Sequence, residues 1–60
     1  MLAEERRIRI LQMLEEKNAV QLGELATLFR VSTETVRRDL LTLEKQGRLQ
    51  RTHGGAISMS

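Results

Sequence analysis

The sequence predicts a mainly α-helical domain that ends in a small β-hairpin. Three observations carry this reading. Apolar residues recur at spacings of three and four in three separate stretches, as one buried face of a helix requires. Ser32 stands where the third of these stretches begins and Gly47 where it ends, the residue types that cap a helix at those two places. Near the end, two short extended runs flank Gly54-Gly55, the pattern of two strands joined by a tight turn.

The first helix is expected near residues 3–17. Ile10, Leu11 and Leu14 share one face, with Ile8 and Met13 beside it. Arg7 falls on the same face, one turn before Ile10 and Leu11. That place suits an arginine whose stem covers the core edge, a structural partner for Asp39, or a phosphate contact. The helix ends at Lys17-Asn18, and Ala19-Val20-Gln21 follows as an extended piece long enough for one strand pair.

The second helix is expected over 22–29, burying Leu22, Leu25, Ala26 and Phe29, with Gly23 weakening its first turn. Arg30-Val31 is a tight connection into Ser32. Two helices joined so closely, about 22–46 together, form a helix-turn-helix, a motif whose turn often contains glycine. Here Arg30 occupies about that place, and a positive φ there would cost roughly 1–2 kcal/mol.

The third helix is expected near 33–46. The Ser32 hydroxyl can accept from the backbone N–H of Glu34 or Thr35, and Glu34 puts negative charge into the positive first turn. Val36, Leu40 and Leu43 form the buried stripe. Arg37 and Arg38 point away from it, near the helix start. Asp39 sits at the stripe's edge, within reach of Arg7 or of an arginine one turn away. Leu41 lies off the stripe, as an isolated exposed leucine or a contact for a thymine methyl. Gly47 closes the helix in the left-handed conformation.

The hairpin is expected over 49–58. A loop of His53-Gly54-Gly55 pairs Arg51 with Ile57 and places Leu49, Ile57 and Met59 on one face. A loop of Gly54-Gly55 alone pairs Thr52 with Ile57 and separates Leu49 from Ile57. Register follows the buried face, which favours the three-residue loop.

Composition narrows the function. Sixty residues make one domain at most, with a simple core. With no cysteine there is no disulfide, thiolate zinc site or thiol nucleophile. The single histidine, His53, has no carboxylates clustered around it to share a metal. No apolar run is long enough for a membrane span or a secretory leader, which favours the cytoplasm. One phenylalanine is the only aromatic residue, which argues against single-strand binding by base stacking. Acids and bases balance over 1–17 and over 32–47, so the net charge of +2 lies in 48–60, where Arg48 and Arg51 have no acidic neighbour. The pI near 9.9 fits a nucleic-acid binder.

Ser32-x-x-Thr35-Val36-Arg37-Arg38-Asp39-Leu40-x-x-Leu43-Glu44, then Gly47 and His53-Gly54-Gly55-Ala56, resembles the N-terminal domain of DeoR-type bacterial transcription repressors. The likeness covers nearly all of the chain and includes Arg7, Ile10-Leu11, Leu25-Ala26 and Phe29. It implies a winged helix-turn-helix: three helices, a short strand after the first, and a C-terminal β-hairpin wing at about 49–58. It further implies that the third helix enters the DNA major groove and the wing touches backbone or minor groove. The larger C-terminal domain of such repressors, usually responsive to a sugar phosphate and responsible for oligomerisation, is not encoded in these residues, so residues 1–60 resemble the DNA-binding domain alone.

The candidate DNA-contacting residues are Ser32, Thr33, Glu34, Thr35, Arg37 and Arg38 on the helix, and Arg51, His53 and Gly54 on the wing. Hydroxyls and free N–H groups at a helix start form a phosphate seat as well as a cap. An arginine early in such a helix can grip guanine bidentately or hold a phosphate. Asp39 and Glu44 do not suit a phosphate-facing surface and read as internal ion-pair partners. His53 is a turn residue that can reach a phosphate or a neighbouring carbonyl, and glycine at 54 allows close backbone approach. The expected function is sequence-specific binding of double-stranded DNA in repression of sugar or carbohydrate genes. The alternative is a winged-helix module that binds protein, which would expose an apolar patch in place of these arginines. No constellation for catalysis and no cofactor site is expected.

Overall fold

The computed structural model describes residues 1–59. Three helices, α1 (Ala3–Lys17), α2 (Leu22–Phe29) and α3 (Thr33–Lys45), pack with three short strands, β1 (Ala19–Gln21), β2 (Gln50–Arg51) and β3 (Gly55–Ile57). The strands form one antiparallel sheet in the order β1-β3-β2. This is the winged helix-turn-helix arrangement expected from the sequence.

Each helix ends where local chemistry stops it. The carboxylate of Glu5 accepts from the Leu2 N–H at 2.9 Å and steadies the start of α1. Asn18 ends that helix in the left-handed region at φ 69°, and its N–H donates to the Leu14 carbonyl. Arg30 ends α2 in the same region, at φ 58° and ψ 45°, a conformation that non-glycine residues adopt at a cost. Ser32 caps α3, its hydroxyl accepting from the Thr35 N–H at 3.1 Å. At the other end of α3, Gly47 takes φ 74°. Its N–H donates to the Glu44 carbonyl and that of Arg48 to the Leu43 carbonyl, each at 2.9 Å, which together make a Schellman closure.

The core is one cluster: Ile10 and Leu14 from α1, Val20 from β1, Leu25 and Ala26 from α2, Val36, Leu40 and Leu43 from α3, with Leu49 and Ala56 from the wing. Leu11, Met13, Leu22, Phe29 and Val31 pack around it, partly buried. Leu41 is half-buried rather than exposed, and Ile8, expected beside the apolar face, is 53% exposed.

One expectation fails in the wing, and α1 adds a buried arginine that sequence reasoning did not single out. The hairpin pairs Arg51 with Ala56 and Gln50 with Ile57, so its turn is His53-Gly54, and neither register weighed from the sequence is present. Leu49 and Ala56 face the core, while Ile57 and Met59 are exposed. The cause is β1, which lies on the other side of β3 and pairs Val20 with Ala56 and Gln21 with Gly55. A Cβ on Gly55 would stand 2.0 Å from the Val20 carbonyl oxygen. Gly55 is therefore a strand residue at a backbone contact, not part of the turn.

In α1, Arg6 rather than Arg7 occupies the buried stripe, in line with Ile10 and Leu14. Asp39 accepts from Arg6 Nε and, at 3.1 Å, from Arg6 Nη2. Arg7 Nη1 stands farther off, 3.5 Å from the same carboxylate. The hydrogen bond to Asp39 raises the Arg6 pKa above its ordinary value against the opposing effect of desolvation, so the guanidinium stays charged. Among the described residues no buried side-chain nitrogen or oxygen lacks a partner.

Candidate nucleic-acid interface

The outward face of α3 begins at its cap. The Ser32 hydroxyl, occupied by the Thr35 N–H, also lies 3.0 Å from the Thr35 hydroxyl. Thr33 and Glu34 are exposed and Thr35 is half-buried. The first turn of a helix carries N–H groups without intrahelical partners. These residues therefore present a partly positive helix end with hydroxyls beside it.

One turn on, Val36 and Asp39 turn inward, and that fixes Arg37 and Arg38 outward. The Arg38 side chain is 78% exposed and that of Arg37 49%. Arg37 leans toward the wing. It lines a notch with Leu40 of α3, Leu22 of α2, and Arg51, Thr52, His53 and Gly55 of the wing. The structure thus brings Arg37, Arg51 and His53 to one concave surface and leaves Arg38 and Thr33 outside it.

The wing is held against the helices by two ties. The Arg51 N–H and Nε donate to the two oxygens of Glu44, at 2.9 and 3.0 Å. Those bonds, the backbone N–H first and the side chain second, hold the Glu44 pKa below its ordinary value. Glu44 is thus the internal partner expected from the sequence, and Arg51 is engaged with it. The second tie runs from the Leu22 N–H to the Gly54 carbonyl at 2.8 Å. The wing turn therefore supplies an acceptor to the first turn of α2, while His53 and Gly54 remain exposed.

Sequence reasoning missed two features. Arg6 is one; the spacing 6, 10, 14 carried the signal, because it continues the line of Ile10 and Leu14 by whole turns of four. The second is that Glu34 contacts both arginines of the helix face. Its Oε1 accepts from Arg37 Nη1 at 2.8 Å and its Oε2 lies 3.8 Å from Arg38 Nε. The spacings of three and four announce such pairs on any helix.

Among the described residues no group of three His, Cys, Asp or Glu side chains is placed to hold a metal ion, and no helix is long and apolar enough to cross a membrane.

Comparison with known proteins agrees with the fold. A family model described as the DeoR-like helix-turn-helix domain matches residues 6–60. The chain is 49% identical over 53 residues to the putative aga operon transcriptional repressor of Escherichia coli O157:H7, covering 88% of this chain and 20% of that protein. It is 46% identical over 57 residues to the HTH-type transcriptional repressor GlcR of Bacillus subtilis strain 168, covering 95% of this chain and 22% of GlcR. It is 42% identical over 59 residues to the transcriptional regulator YulB of the same organism, covering 98% of this chain and 23% of YulB. The chain therefore spans less than a quarter of the length of these relatives. No solved structure matches it.

Proposed function

Because the chain belongs to the DeoR-like helix-turn-helix family, whose relatives here are transcriptional regulators rather than enzymes, we propose that α3 reads the major groove of double-stranded DNA and that the wing follows the backbone beside it. One observation carries this reading. The side of α3 opposite the core gathers the helix start, hydroxyls and two outward arginines, and the wing stands beside it with a third. A helix fits the major groove, where each base pair presents a distinct edge. Ser32, Thr33 and Thr35 sit where a phosphate would meet the helix start, and Arg37 and Arg38 where base edges would lie. Arg51, His53 and the Gly54 backbone would meet phosphates along the flank. Arg51 can serve both Glu44 and a phosphate, since the guanidinium has five N–H donors.

The whole protein would be a cytoplasmic repressor of sugar or carbohydrate genes. The support is the name of a putative galactitol utilization operon repressor of Escherichia coli K12, 44% identical over 55 residues, which cover 92% of this chain and 49% of that protein. A sugar-phosphate effector and self-association would belong to a part of the protein outside residues 1–60. One domain on one half-site should bind weakly, so low salt is the condition for its assay.

The test is titration of the chain and its single Arg→Ala variants against duplexes selected from a randomised pool, and against scrambled duplex, at several salt concentrations. Arg51→Ala should weaken both duplexes alike and lower the slope of log affinity on log salt by about 0.9 per lost phosphate contact. Arg37→Ala or Arg38→Ala should cost about 1–3 kcal/mol on the selected duplex and much less on the scrambled one. If neither substitution changes binding to the selected duplex, α3 is not the reading helix, and a protein-binding role replaces this one.

A further inference from the structure

Glu34 is placed oddly for a residue at the centre of a DNA-binding face. It is an exposed anion on the first turn of α3, and its two oxygens span both outward arginines, at 2.8 Å to Arg37 Nη1 and 3.8 Å to Arg38 Nε. The positive helix start accounts for an acid at this position, and spacings of three and four account for its reach to both arginines; what sets the contact apart is that both arginines lie on the outward face of α3.

The consequence depends on what the arginines meet. Each guanidinium carries five N–H groups, and the contact with Glu34 takes one edge of Arg37 and approaches one edge of Arg38. Donors remain on both for the N7 and O6 of a guanine, which are neutral acceptors. A phosphate is an anion, and one that binds either guanidinium on the edge beside Glu34 meets the charge of that carboxylate. A guanine edge meets no such charge. One carboxylate can thus restrain both side chains, leave them free for bases and oppose their use on the backbone. Arg48 shows the contrast, since among the described residues it makes no contact with a carboxylate within ion-pair distance.

Building on the DNA-binding reading above, we propose that Glu34 is a specificity-determining residue. It holds Arg37 and Arg38 for base edges and suppresses their binding to phosphates, which lowers affinity for random duplex more than for the preferred site.

The test compares the parent chain with Glu34→Gln and Glu16→Gln. Glutamine keeps the size of the side chain and removes its charge. Glu16 lies exposed near the end of α1, and its variant controls for the change in net charge. Binding to pool-selected and to scrambled duplex is measured from low to high salt, with helix content checked by circular dichroism. Glu34→Gln should tighten binding to scrambled duplex and steepen its salt slope by about 0.9, one phosphate contact, which amounts to about eightfold at 0.1 M salt relative to 1 M. The ratio of selected to scrambled affinity should fall, and the gain should vanish when Arg37 and Arg38 are also replaced by alanine. Equal shifts on both duplexes overturn the proposal, as does an equal effect of Glu16→Gln. So does a lost preference for one cytosine with random binding unchanged, which would make Glu34 a direct reader of the cytosine amino group. If the parent itself binds no duplex at any salt, the DNA-binding reading falls first and this proposal with it.

Discussion

An arginine with 8% of its surface exposed, set against an aspartate with 3%, is stable only while both charges are present. The side-on hydrogen bonds from Arg6 satisfy Asp39, and Arg7 adds a more distant positive charge. Removing one member leaves the other charged and dry, which costs about 3–5 kcal/mol. A domain of this length has on the order of 3–9 kcal/mol in all. Arg6→Ala should therefore remove a large share of the stability and move the urea midpoint far down, whereas Arg7→Ala should leave a cooperative urea transition near that of the parent. Similar losses for the two would mean that the pair is shared equally. The sequence pointed to Asp39 as an inward partner and to Arg7 as an arginine beside it, which the 3.5 Å contact bears out, but it passed over Arg6, whose place on the stripe only the spacing 6, 10, 14 announced. Glu44 offers a second test at this scale. Its pKa is lowered in the fold by bonds from Arg51, so its stabilising effect is complete above the ordinary glutamate value of about 4.3 and fades as pH falls through the lower, folded value. The stability difference between parent and Glu44→Gln should be constant near neutrality and shrink in acid. A difference that grows on acidification would contradict the assignment.

Helices and strands differ in how much of their placement is local. The caps at Ser32 and Gly47 and the apolar spacing of α1, α2 and α3 lie within each helix, which is why the helix bounds could be read closely from the chain. The candidate site on α3 was legible for the same reason: once Val36, Leu40 and Leu43 face inward, the direction of Arg37 and Arg38 follows. The hairpin register was not legible, because it is set by β1, some thirty-five residues earlier in the chain, rather than by the turn. Gly55 marks the place where the two segments meet. A methyl group there would collide with the Val20 carbonyl and with backbone atoms of Val20 and Gln21, which cannot move aside as a flexible side chain can. Gly55→Ala should therefore open the β1–β3 ladder while α3 keeps its cap. Amide exchange should quicken at Ala56 and remain slow at Leu40. Unchanged protection at Ala56 would mean that the strands tolerate the methyl group.

At the scale of the whole molecule, the helix-turn-helix is enclosed. Strand β1 precedes it, β3 follows it, and the two pair with each other while β2 forms the outer edge. The Gly54 carbonyl on the start of α2 and the Glu44 contact with Arg51 fasten the same unit from inside. The wing's position relative to Arg37 and Arg38 is thus set by contacts at both ends of the motif, and in the native state α3 and the wing hold one fixed relation. There is a kinetic side to this enclosure. The turns of α1, α2 and α3 form from near neighbours, but the β1–β3 ladder must close a loop around the entire motif, and the entropy of that closure is lost before the ladder returns any energy. We expect the ladder to be absent from the folding transition state, so that Gly55→Ala speeds unfolding and hardly slows folding in stopped-flow chevrons. A folding arm slowed in proportion to the lost stability would place the ladder in the nucleus instead. If it forms last, it also opens first: brief excursions would release the wing while the three helices stay packed, and the domain could let go of a DNA backbone in stages rather than all at once.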